Sequence, residues 1–262
     1  MLSVKKELSL LCYKCHDKST GKPFPHFPPT ADVGECTGCH DPHRKETESL
    51  LKKRGAALCF MCHKETWFKN RFNHGPVAAG SCLLCHDPHG SKGRMLLRKF
   101  GSALCFDCHD SSLAKGRSVH EPVAEGNCDA CHQVHGSANP YILFKYFPEE
   151  LYLPYRSENF ALCFSCHNMG LAEEELTEKA TGFRNGDRNL HYVHINKTDK
   201  GRSCKVCHDP HAAGQQKLIT EKVPGFGKWE IPIFYTKTDT GGTCIVGCHK
   251  PKTYDRVHPV TY

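Results

Sequence analysis

No stretch of this chain approaches the roughly 20 consecutive apolar residues that a membrane-spanning helix needs. Aliphatic runs of any length are scarce, and hydrophobic residues make up only 39% of 262. The first point excludes a membrane helix. The second leaves too little for the aliphatic core that a chain of this length ordinarily buries. Met1 to Leu11 carries Lys5, Lys6 and Glu7 and runs straight into Cys12, so it is too short and too charged for an export signal. No Cys-x-x-Cys-Lys occurs, and no cysteine stands outside a pair.

What the chain has in excess is cysteine: 18 residues in nine pairs, each pair followed directly by histidine. Eight pairs read Cys-x-x-Cys-His: Cys12-Cys15-His16, Cys36-Cys39-His40, Cys59-Cys62-His63, Cys82-Cys85-His86, Cys105-Cys108-His109, Cys128-Cys131-His132, Cys163-Cys166-His167 and Cys204-Cys207-His208. The ninth, Cys244-Cys248-His249, has one residue more, which is expected to bulge out without moving the thiols far. This is the attachment motif of c-type haem: both thiols bond to the vinyl groups and the adjacent imidazole binds iron on one face. A zinc ribbon or a disulfide framework requires no histidine at that place, so nine repetitions argue against both. The expectation is nine covalent haems, with His16, His40, His63, His86, His109, His132, His167, His208 and His249 as proximal ligands. The haems themselves are then the core, and folding is coupled to their binding.

The formal charge of +7 invites a nucleic-acid or anionic-membrane reading. Two propionates per haem lower it by about 18, to about −11, and nine ferric centres return it to about −2. Many Lys and Arg side chains are therefore expected to face propionates rather than an external polyanion.

The motifs alternate between two kinds. Type A follows an apolar lead-in, as at Leu58-Cys59-Phe60 and Leu104-Cys105-Phe106. Type B has a glycine shortly before its first cysteine and usually a histidine three residues after the motif histidine. Cys12 to Cys59 spans 47 residues, Cys59 to Cys105 spans 46, and Cys36, Cys82 and Cys128 are 46 apart. A fixed period implies units that pack on their neighbours. We divide the chain at 1–50, 51–97, 98–150, 151–220 and a one-haem half unit, 221–262, within one multihaem domain. Gly 22 and Pro 16 favour loops. The fold expected is mostly irregular with short α-helices and little β, an elongated repeat-like protein organised around its haems. Lead-ins such as Ser49-Leu50-Leu51 and Met95-Leu96-Leu97 are expected to join the type A helices. Glu173-Glu174-Glu175 is expected at a helix start, and a small hairpin over 226–235. The insert from Tyr141 to Tyr155 is rich in aromatics that would cover haem edges or meet another protein.

Ten histidines lie outside the motifs, close to the nine that nine second axial positions need. The expected distal ligands are His26, His43, His74, His89, His120, His135, His194, His211 and His258. A histidine three residues after a motif cannot round the porphyrin edge to reach its own iron, so it serves a neighbouring haem. His194 is preferred to His191 on register: it lies ten residues before Cys204, as His26 lies ten before Cys36.

The repeated pattern, for example His74-Gly-Pro-Val followed by Gly80-Ser-Cys82 and Cys85-His86-Asp-Pro-His89, resembles the doubled-CXXCH multihaem c-type cytochromes over nearly the whole chain. That resemblance implies electron transfer. It also implies one of two settings outside the cytoplasm: a wire inside an outer-membrane porin, as in metal-reducing bacteria, or a subunit of an extracellular cytochrome filament. Other redox proteins, a porin or further copies of the chain are the partners it implies; neither nucleic acid nor a membrane span of its own is expected. Periplasm, outer membrane or cell exterior is the expected location, with the export signal absent from the numbered residues. Bis-histidine irons without a methionine ligand are expected at low potential. The rival class, a multihaem oxidoreductase, needs an open iron or a lysine-ligated motif, so an enzyme is not expected; a periplasmic electron store differs only in its partners.

Overall fold

The computed structural model describes residues 10–16, 25, 26, 28, 35–225 and 227–262. The chain divides into two compact units: residues 1–108 with 133–138, and residues 109–132 with 139–262. Regular structure is short throughout, in keeping with a glycine- and proline-rich chain that is mostly irregular.

Three α-helices of the first unit are single turns: α1 (Ala56–Cys59), α2 (Gly75–Ala78) and α3 (Ser102–Cys105). α1 and α3 start after left-handed glycines, Gly55 and Gly101, and each ends at the first cysteine of a type A motif. α2 carries Pro76 in its first turn, where a missing N–H costs nothing, and stops before the left-handed Gly80. Phe72–Asn73 pairs antiparallel with Gly136–Ser137. Among the described residues of this unit no apolar side chain is buried.

Among the described residues, all the buried apolar side chains belong to the second unit. It contains α4 (Glu121–Ala124), α5 (Gly170–Glu173) and α6 (Leu190–Ile195). One cluster gathers Phe160, Ala172 and Ile195, with Leu153, Tyr155 and Phe164 around it. Another gathers Val206, Val223 and Ile233. The second cluster lies against an antiparallel sheet of β1 (Lys222–Pro224), β2 (Glu230–Lys237), β3 (Gly241–Val246) and β4 (His249–Asp255), ordered β4-β3-β2-β1. In β2, Ile231 and Ile233 turn inward while Glu230, Pro232 and Phe234 face out, the period-2 pattern of a strand with one wet face. The hairpin expected over 226–235 is thus part of a larger sheet; Phe226 itself lies outside the described residues. The Glu173-Glu174-Glu175 run ends α5 instead of starting a helix. Tyr155 Oη donates to Glu173 Oε1 there at 3.0 Å, which anchors the acid locally.

Four tight turns recur at Ser49-Leu50, Met95-Leu96, Tyr141-Ile142 and Lys217-Leu218. Both residues of each have φ between 52° and 61°, and among the described residues no other non-glycine residue has positive φ. These are left-handed conformations that cost on the order of 1 kcal/mol or more per residue. The leucines expected to lead into type A helices sit in these turns instead, and α1 and α3 begin several residues later.

Candidate functional site

Seven of the motifs fold on themselves. The histidine N–H donates to the carbonyl of the first cysteine at 2.9 Å for His16, His63, His167 and His208 and at 3.0 Å for His40, His86 and His132. One helical turn therefore carries both thiols and the imidazole. Type B motifs use a 3-10 turn for this: Cys36–Gly38, Cys82–Leu84, Cys128–Ala130 and Cys204–Val206. The aspartate after the motif sets the next histidine: Asp41, Asp87 and Asp209 each accept, through Oδ1, the N–H of His43, His89 and His211 at 3.1, 3.0 and 2.9 Å. This is an Asx turn, and it explains why Asp-Pro-His follows these motifs.

The other recurring histidines are docked by backbone. His74 and His120 cap α2 and α4. The His74 N–H donates to the His135 carbonyl at 3.4 Å, and that of His120 to the His211 carbonyl at 2.9 Å. His120 Nδ1 donates to the Pro210 carbonyl at 3.0 Å, leaving Nε2 free.

The imidazoles come together in pairs. In the first unit His40 faces His89 with ring centroids 6.1 Å apart, and His86 faces His135 at 6.0 Å. In the second unit His120 faces His167 at 6.1 Å, His132 faces His211 at 6.2 Å, His191 faces His208 at 6.4 Å and His194 faces His249 at 6.5 Å. Every pair joins one motif histidine to one histidine outside the motifs. Two imidazoles on opposite sides of one metal, each nitrogen about 2 Å from it and roughly 1.1 Å from its ring centre, would put the centroids about 6.2 Å apart. The rings are thus spaced for a shared ion between them. Burial holds several of these imidazoles neutral, the form that binds iron. His191 is pushed down to about 3, by burial first and then by His208, His194 and His167. Burial also lowers His135, His194, His208 and His211.

His191 and His194 both face a motif ring, where the register argument picks out one of them. They lie three apart on α6 and so project from the same face. The last type B motif has no later +3 histidine to meet, since Lys252 stands three residues after His249. His191 occupies that place. α6 is held by Asn189, which is fully buried. Its Oδ1 accepts the N–H groups of His191 and Tyr192 at 3.0 and 3.2 Å. Its Nδ2 donates to the carbonyls of Gly170, Leu171 and Glu174 at 3.3, 3.0 and 2.7 Å. A lone asparagine in a polar stretch gives no sequence signal of that position, beyond its being a good cap residue before a short apolar run.

The ninth motif lies on a hairpin. Cys244 belongs to β3 and His249 opens β4, with a bulge in the pairing between Cys244 and Val246. The extra residue is taken up there. Gly247 is required, because a Cβ would come within 2.8 Å of Ile231 Cγ2.

The thiols of successive motifs are neighbours. Cys12 meets Cys36, Cys59 meets Cys82 and Cys163 meets Cys204. Cys85 lies near Cys108, Cys131 near Cys166 and Cys163, and Cys207 near Cys244 and Cys248. Burial, aided by Cys82, pushes Cys59 up to about 11, and burial pushes Cys207 up to about 11. The hydrogen bond with Cys163, together with burial, raises Cys204 further. No two cysteines form a disulfide. Among the described residues no three His, Cys, Asp or Glu side chains converge as a zinc site would require. No helix among them is long and apolar enough to cross a membrane.

Paired thiols beside a histidine, with a second imidazole spaced across a metal's width, fit covalent haem. The arrangement defines a multihaem c-type cytochrome. The family described by its doubled CXXCH motif matches residues 28–67, 74–114 and 120–170, just over half of the chain, and the chain belongs to that family. A search of curated proteins returned no match.

Proposed function

We propose that the protein carries nine haems, each with histidine on both faces, and passes electrons between them by hopping. The observation that carries this reading is the set of ring pairs, each made of one motif and one non-motif histidine at 6.0 to 6.5 Å. The contacts between thiols of successive motifs support it, since haems attached at touching points are close enough to exchange electrons. The six pairs use His89, His135, His120, His211, His191 and His194. His26, His43, His74 and His258 then remain for the irons of His16, His63 and His109, one more than needed. We assign His258 as the surplus, because it falls outside the repeated positions that His26, His43 and His74 occupy.

In this reading no iron keeps an open face, so the protein relays electrons and turns over no substrate. Imidazole on both faces implies low potential. That suits extracellular electron transfer, with other redox proteins as donor and acceptor and the protein outside the cytoplasm, as a filament subunit or a wire within an outer-membrane porin. Electron microscopy of the native preparation distinguishes these: long filaments support the first, and single particles with a co-purifying β-barrel support the second.

The direct test is intact mass with carbon monoxide titration. We expect the mass to exceed that of the polypeptide by nine haems, and the reduced protein to be low-spin and to bind almost no CO at neutral pH. Eight haems with free thiols at Cys244 and Cys248 would remove the ninth; one stoichiometric CO site would revive an enzyme.

Single alanine variants test the ligand assignment. His191→Ala and His194→Ala should each convert one haem to a high-spin, CO-binding form, while His258→Ala should leave every haem low-spin. A silent His191→Ala would return the assignment to His194 alone.

A further inference from the structure

The four left-handed turns lie at a constant distance from the type B motifs. Ser49, Met95, Tyr141 and Lys217 each follow a motif histidine by nine residues. Their carbonyl oxygens receive the Nδ1 of His40, His86, His132 and His208 at 2.8, 2.8, 2.9 and 3.0 Å. A carbonyl can only accept, so the proton is on Nδ1 and the Nε2 lone pair is free. The next carbonyl is also engaged: Leu50, Leu96 and Leu218 accept the N–H groups of Asp41, Asp87 and Asp209 at 2.7, 2.8 and 2.9 Å. Two residues further on, the chain donates back to the second cysteine of the motif: Lys52 to Cys39, Arg98 to Cys85, Phe144 to Cys131 and Thr220 to Cys207.

The side chains at the first turn position are a serine, a methionine, a tyrosine and a lysine, and all four are exposed. They share no chemistry and pack into no core. What repeats at this position is the strained backbone and the place where its carbonyl points; an aliphatic pair follows it each time, Leu50-Leu51, Leu96-Leu97, Ile142-Leu143 and Leu218-Ile219. Strain that recurs at one register, at a residue whose own side chain is exposed, marks a requirement on the backbone itself.

We propose that these turns are positioning elements for the four type B imidazoles. Each fixes the ring's tautomer and rotation and, through the Nδ1 hydrogen bond, strengthens Nε2 as a donor to iron, which lowers the potential of that haem. The proposal rests on the reading that these histidines bind iron.

Met95 offers the test, because proline cannot adopt its φ of 56° whereas glycine can. In the holoprotein, Met95→Pro should swing the carbonyl away from His86. One haem should then shift about tenfold toward the reduced form at fixed ambient potential, a rise of about 59 mV. The exchange-protected Nδ1 proton of His86 should vanish from the hyperfine-shifted proton spectrum. Met95→Gly should leave both signals in place. Should Met95→Pro fail to mature, the parent protein still decides: four protected Nδ1 protons, assigned to His40, His86, His132 and His208, support the proposal, and rapid exchange at all four overturns it. An unchanged potential in Met95→Pro, with His86 still bound to iron, also overturns it. If His86 shows no hyperfine shift in the parent protein, the haem-ligand reading fails first.

Discussion

Expressed without covalent haem attachment, the protein should lose all protected structure in its first unit and keep a remnant of the second. Hydrogen exchange read by mass spectrometry should show residues 35–108 exchanging as fast as an unfolded chain. Protection should persist only around β1 to β4 and the cluster of Val206, Val223 and Ile233. The reason is where apolar area is buried. The first unit has no buried apolar side chain among its described residues, and its helices are single turns, too short to hold in water by themselves. Nothing in the polypeptide then offsets roughly 1 to 2 kcal/mol of conformational entropy per ordered residue. The second unit has a four-stranded sheet with one apolar face, and three such strands are about the least that independent stability needs. Haem-free protein with slow exchange through residues 56–106 would overturn this account.

Asn189→Ala should be the most damaging substitution that touches neither a thiol nor an imidazole. It removes the cap of α6, worth about 1 kcal/mol, and takes the side-chain donor from the part-buried carbonyls of Leu171 and Glu174, at about 1 kcal/mol each; the Gly170 carbonyl keeps the Glu174 N–H. The expected loss is about 3 kcal/mol in the second unit, measured by urea unfolding. Because α6 carries both His191 and His194, the same variant should show CO binding at two haems. Asn189→Ser retains the cap acceptor and should lose less. A variant with parent stability and no CO binding would show that α6 is held by its haems and not by Asn189.

Covalent attachment was legible because it is written in adjacent residues: two thiols and an imidazole must share one turn, and that fixes their spacing. The +3 histidines were legible for the same reason, their aspartate being next to the motif. The left-handed turns were not. Met95-Leu96 and Ser49-Leu50 contain no glycine or asparagine, the usual marks of positive φ, and the leucines read as a helix lead-in. The signal lay in the constant nine-residue interval from the motif histidine and in the aliphatic pair that follows each time. Facing rings such as His191 with His208 escape a register argument because a helix presents residues three apart equally well. The ninth motif reads as a longer loop; its place on a hairpin follows from strand pairing with the residues just before and just after it.

The ring pairs also impose an order in time. In the proposed coordination, His167 and His249 look back to His120 and His194, which leave the ribosome before them. His40, His86 and His132 look forward, to His89, His135 and His211, by 49, 49 and 79 residues. At these three motifs the second ligand would be supplied only once the following repeat has been made. His208 does not wait, since His191 precedes it. Maturation would therefore proceed with a small moving front of unfinished irons, each closed by the next stretch of polypeptide to emerge.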